Sequence, residues 1–113
     1  EDIAAERVSL SSRHTLTFPE LTIDGRSQQA FQNGTALALT RIEFNMLLLL
    51  ASNPGVTLSK EDLFSAVWGR DSADTLKVVA NTVSNLRRKL GGSQTYIRTV
   101  RGGYVFSAVS VTA

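Results

Sequence analysis

The chain has 113 residues, 42% of them hydrophobic, no cysteine, and a formal net charge of +2. That length supports one compact domain with a modest core, and the absence of cysteine excludes disulfide staples and thiolate metal sites, which fits a reducing, cytoplasmic setting. The longest apolar run, MLLLLA at 46–51, falls far short of the roughly 20 residues that a membrane span requires.

The first residues, EDIAAER, lack the basic-then-apolar order of a signal peptide. The chain does not begin with Met, so it is expected to be a piece of a longer protein. Residues 1–14 have no hydrophobic period and read as a linker or arm, with His14, the only histidine, exposed within it. Residues 15–113 read as the folded domain.

From 15 to 39 the texture is that of short strands, TLTF, LTID, QQAF and ALAL, separated by Pro19-Glu20, Asp24-Gly25 and Asn33-Gly34. Closely spaced short strands with turn residues between them predict a four-stranded antiparallel meander. Leu21 and Ile23 share one face of their strand, as do Leu37 and Leu39 of theirs. Asn33-Gly34 is a hairpin signal because both residues accept positive φ.

The period changes at Thr40. Thr40-Arg41-Ile42-Glu43 has the spacing of a capping box, and the helix that follows, about 41–52, is apolar on most faces and is expected to be the most buried element. Asn53-Pro54-Gly55 ends it. Ser59 through Asp62 opens a second helix in the same way, with Leu63, Phe64, Val67 and Trp68 as its apolar stripe and Gly69 as its stop. Ser72 or Asp74 can cap a third helix, about 75–90, in which Leu76, Val79, Val83, Leu86 and Leu90 recur at spacings of three and four. Gly91-Gly92 terminates that helix. Residues 95–100 and 104–107 then form a hairpin turning at Arg101-Gly102-Gly103, and Val109 and Val111 extend its last strand. The fold class is α+β: four strands, three helices, then a C-terminal β-hairpin.

Charge is divided unevenly along this order. Residues 1–75 carry a net −4, whereas residues 76–113 carry Lys77, Arg87, Arg88, Lys89, Arg98 and Arg101 and no acid, a net +6. Ordinary soluble surfaces mix both signs, so one wholly basic end points to a polyanionic partner. No catalytic constellation accompanies it. One histidine and no cysteine cannot build a multi-ligand metal site, both Gly-Gly pairs are explained by a helix end and a turn, and the carboxylates fall mostly at helix caps. An enzyme is not expected, nor is a cofactor.

With its inner face fixed by the aliphatic row, the third helix turns Lys77, Val78, Asn81, Thr82, Asn85, Arg88 and Lys89 outward. Asn can pair bidentately with adenine, Arg and Lys reach guanine or phosphate, and Thr and Val can touch a thymine methyl. A helix fits the major groove of B-form DNA, about 12 Å wide. A merely soluble helix more often carries Glu–Lys pairs at spacing four, and this one has no Glu. In the hairpin, Arg101 is expected to contact DNA, where the minor groove focuses negative potential. Arg98 reads first as a solvated strand residue and second as a phosphate contact.

These segments together, LTRIEFNMLLLLASNPGVTLSKEDLFSAVWG, KVVANTVSNLRRKL and YIRTVRGGYVF, resemble the effector domain of OmpR/PhoB-type bacterial response regulators of two-component systems. The similarity runs over about residues 16–107. It implies a winged helix-turn-helix with an N-terminal four-stranded sheet, promoter binding as tandem dimers on direct repeats, a third helix in the major groove, and the hairpin as a wing. By position it implies that Lys77, Val78, Thr82, Asn85 and Arg87 face DNA, that Thr99 and Arg101 contact backbone or minor groove, and that residues 69–75 form a loop able to touch RNA polymerase. Ala80, Asn81, Thr82 and Asn85 stand where the family commonly has Asp, Val, His and Arg, which implies a different operator. The wing reads R-G-G-Y, one residue shorter than the usual R-G-x-G-Y, and no receiver domain lies in this chain. The competing expectation is a winged helix that docks an acidic protein. The Asn and Thr side chains among the cations separate the two readings, since a purely electrostatic dock has no use for them.

Overall fold

The computed structural model describes residues 15–18, 20–69, 75–90 and 96–107. Strands β1 (Thr15–Phe18), β2 (Leu21–Asp24), β3 (Gln29–Gln32) and β4 (Thr35–Ala36) form an antiparallel sheet in that order. Register follows burial: Ile23 lies between Leu16 and Ala30, which places the buried Ile23 and Ala30 side by side on the core face. The turns are built by the residues that punctuate the sequence. Asp24 accepts from the Arg26 amide (2.9 Å) and the Ser27 hydroxyl (2.9 Å), and Asn33 and Gly34 take φ values of 54° and 83°, the left-handed pair that a two-residue hairpin needs.

The fourth strand is shorter than the ALAL pattern predicts. After Ala36 only the Leu37 amide still reaches the sheet, donating to Ala30 (2.8 Å), and the Leu39 amide donates to Leu37 (3.0 Å). That tight turn lifts the chain off the sheet toward the Thr40 cap. Leu37 and Leu39 still pack together against the core.

Helix α1 spans Arg41–Ala51 and buries Phe44, Met46, Leu47, Leu48, Leu50 and Ala51. Its capping box is complete: the Glu43 amide donates to Thr40 Oγ1 (3.1 Å) and the Thr40 amide donates to Glu43 Oε1 (3.0 Å). Helix α2, Lys60–Val67, opens on the same device with Ser59 and Asp62. Its predicted stripe is only partly submerged. Leu63 is buried, whereas Phe64, Val67 and Trp68 are half-buried, with the Phe64 and Trp68 rings stacked at 5.6 Å.

Helix α3 runs from Lys77 to Lys89, so it starts two residues later than the apolar period suggests. Val79, Val83, Leu86 and Leu90 are buried. Leu76 is not: it stands at the helix entrance, before the first helical residue, and is 37% exposed. Ser72, Asp74, Gly91-Gly92, His14, Val109 and Val111 lie outside the described residues.

The hairpin pairs β5 (Ile97–Val100) with β6 (Gly103–Phe106). Its two-residue turn is Arg101-Gly102, with Gly102 at φ 95°. Phe106 anchors the hairpin beneath the sheet, its ring 4.9 Å from Phe18 and 5.8 Å from Tyr96. A second anchor holds the other end: Leu58 and Tyr104 exchange two backbone hydrogen bonds of 2.9 Å. This bridge explains Gly103. Glycine permits close backbone approach, and at Gly103 what approaches is the protein's own backbone. A Cβ there would sit 2.1 Å from the Leu58 carbonyl oxygen.

Gly103→Ala is therefore expected to lower stability by about 1–3 kcal/mol, the usual range for overpacking against atoms that cannot rotate away. Gly102→Ala meets open space and strains only its own φ. Urea denaturation of the two variants checks the ranking, and equal losses would contradict it.

Candidate nucleic-acid interface

Helix α3 sorts its residues by angle around its axis. Lys77, Ala80, Asn81, Ser84, Arg87 and Arg88 are exposed, and Val78, Asn85 and Lys89 are half-buried. The centre of the outward face is the row Lys77, Asn81, Ser84 and Arg88, at spacings of four, three and four opposite the aliphatic seam. Ser84 is absent from the set expected on sequence grounds, although its spacing from Asn81 and Arg88 places it there.

Thr82 corrects the expectation. It is 8% exposed. At about 100° per residue it lies only about 60° round from Val79, on the flank that turns toward the body of the domain. Its methyl is thus withdrawn from the surface that Asn81 and Ser84 present.

Lys89 is also withdrawn. Its Nζ donates to Glu43 Oε1 (2.7 Å) and to the Ala38 carbonyl (2.9 Å). Glu43 is 5% exposed, so the last turn of α3 is tied to the first turn of α1 and to the chain leaving the sheet. The missing counter-charge for the basic helix lies 46 residues upstream. Burial by itself pushes the Glu43 carboxyl up, but the Lys89 hydrogen bond, the Thr40 amide and the Lys89 charge together outweigh it and hold the group below its ordinary 4.5.

Arg87 leans the other way, onto the hairpin. Its Nε donates to the Ile97 carbonyl (3.1 Å), its Nη2 donates to Thr99 Oγ1 (2.7 Å), and its guanidinium lies 5.9 Å from the centre of the Tyr104 ring. Helix and wing are thereby braced, and Arg87 and Thr99 are spent partly on each other. Arg98, Thr99 and Arg101 are exposed, with Arg101 at the hairpin tip. Among the described residues Lys89–Glu43 is the ion pair present.

A basic helix and a basic hairpin tip are thus held in fixed relation by the Arg87 brace. The family described as "Transcriptional regulatory protein, C terminal" matches residues 34–106. The chain belongs to this family. It is 43% identical over 89 residues to the transcriptional regulatory protein VxrB of Vibrio cholerae, covering 78% of this chain and 36% of that protein. The DNA-binding domain of CpxR from Escherichia coli superposes with a TM-score of 0.76 at 35% identity, over 85% of this chain and 99% of that one. The Klebsiella pneumoniae RstA DNA-binding domain, solved in complex with the RstA box, gives 0.74 at 32% identity, over 83% and 97%. The chain spans under half the length of the curated relatives it matches. As an OmpR/PhoB-type C-terminal domain it keeps the four-stranded sheet, three helices and wing of the winged helix-turn-helix that its motifs imply.

The Glu43 tie has a pH signature. Because the folded carboxyl titrates below its unfolded value, its contribution is full above about 4.5 and is lost as pH falls through the lower folded value. Acid should therefore lower the melting temperature, and Glu43→Gln should flatten that slope. A residue of slope remains from Asp24, whose carboxyl the Ser27 hydroxyl and Arg26 amide also hold low. Lys89→Met should cost about 1–2 kcal/mol, near the low end for a charged hydrogen bond because the lysine stays partly solvated. Melts between pH 3 and 7 check both, and an unchanged slope in Glu43→Gln would contradict the first.

Proposed function

We propose that this domain binds double-stranded DNA sequence-specifically in bacterial transcription regulation, with α3 in the major groove and the wing on the adjacent backbone and minor groove. The observation that carries the reading is the outward row Lys77, Asn81, Ser84 and Arg88, which mixes cations with amide and hydroxyl groups on a helix lacking any acid. The 32% identity to a domain solved on its DNA box supports it. Phosphate attraction gives affinity, and base-edge hydrogen bonds give choice of sequence. Lys77, Arg98 and Arg101 supply the first, with Arg88 adding its charge beside the base edges, while Arg87 sets the wing at a fixed distance from the helix. Asn81 and Ser84 supply the second, with Val78 and Asn85 at the margin. Such side chains favour a base edge over an acidic protein partner, for which charge alone suffices.

The same proposal includes a cytoplasmic location, pairing of two domains on tandem repeats, binding rather than catalysis, and contact with RNA polymerase through the loop at 69–75, of which residues 70–74 lie outside the described structure.

With about four phosphates contacted per domain, log affinity should fall with log salt at a slope near −3.6. Arg101→Ala should weaken binding to every duplex and reduce that slope by about 1, whereas Asn81→Ala should relax preference at one base pair. Fluorescence anisotropy at several salt concentrations checks this, and a salt-insensitive complex would contradict it.

A further inference from the structure

Asn85 and Arg88 stand three residues apart on α3, the spacing at which helical side chains meet, and Arg88 Nη2 donates a hydrogen bond to Asn85 Oδ1. A guanidinium has donors and no acceptor. It can engage only the oxygen of a carboxamide, so the two ends of the amide are distinguished: Oδ1 turns to Arg88, and Nδ2 turns away from it.

We propose that Asn85 and Arg88 form one donor-only reading unit that selects guanine. The inference rests on the DNA-binding reading above. A lone asparagine suits adenine because it offers a donor to N7 and an acceptor to the N6 amino group. Here the acceptor is already engaged by a cation, and an adenine amino group brought to it would meet another donor. Guanine presents two acceptors on its major-groove edge, N7 and O6, and no donor. Asn85 Nδ2–H and the remaining N–H groups of Arg88 match that pair. Thymine offers one acceptor beside a methyl, and cytosine offers a donor. Asn85 is half-buried, which narrows the directions its amide can take. The exposed Arg88 at the centre of the outward face holds it from the solvent side.

The test is selection from a random duplex library with the wild-type chain, Asn85→Ala and Arg88→Met. The wild type should enrich a motif with guanine at one position, and Asn85→Ala should flatten that position alone, by about tenfold in relative affinity. Arg88→Met should weaken binding to all duplexes, through the lost charge, while converting the same position to adenine. Any base other than guanine there in the wild type, no position flattened by Asn85→Ala, or the same base in wild type and Arg88→Met overturns the pairing and leaves DNA binding standing. Failure of the wild type to bind any duplex overturns both.

Discussion

The seam formed by Val79, Val83, Leu86 and Leu90 fixes the rotation of α3 about its own axis, and every residue offered to a partner follows from that rotation. These four side chains lie in one core with Leu47, Leu50, Leu63 and Phe106. Each contributes about 1.5–3 kcal/mol on burial, so the four together outweigh the about 1–2 kcal/mol of the Lys89–Glu43 pair. The seam therefore decides which face looks outward. The polar ties at the end and flank of the helix then decide where that face stands relative to the sheet and the wing.

Those ties divide the labour among the basic residues. Lys89 neutralises the nearly buried Glu43 and closes the helix onto α1. Arg87 spends donors on Ile97 and Thr99 and so couples helix to hairpin. On the proposed DNA-binding reading, Lys77, Arg88, Arg98 and Arg101 remain for the partner. On that reading the uneven charge along the chain has two uses: part of it holds helix and wing in place, and part of it attracts the DNA. Gly103 belongs to the same arrangement, because its missing Cβ lets the hairpin pair with Leu58 and stand beside the helix.

Much of this was legible in residues whose signals are local. Both capping boxes, the Asn33-Gly34 turn, the aliphatic period of α3 and the Gly102 turn depend on neighbours within a few positions, and the structure forms each of them. Long-range partners were not legible. Periodicity places Lys89 on the outer half of its helix, but nothing within a few residues announces Glu43, and so Lys89 reads as a DNA contact until the tertiary fold brings α1 beside it. Thr82 fails for a related reason. A residue on the flank of a helix is exposed or covered according to what packs beside it, which period alone does not say. Leu76 matches the period yet falls outside the helix, because the entrance is set by a turn and not by hydrophobic spacing.

The central claim is geometric: the seam presents Lys77, Asn81, Ser84 and Arg88, with Arg101 beside them, as one surface for duplex DNA. Amide chemical shifts of the labelled domain, followed while a selected duplex is added, test it most directly. The account predicts that the largest changes fall on that row and on the hairpin tip, with strands β1–β4 little affected. Changes concentrated on the sheet, with the outer row of α3 unmoved, would contradict it.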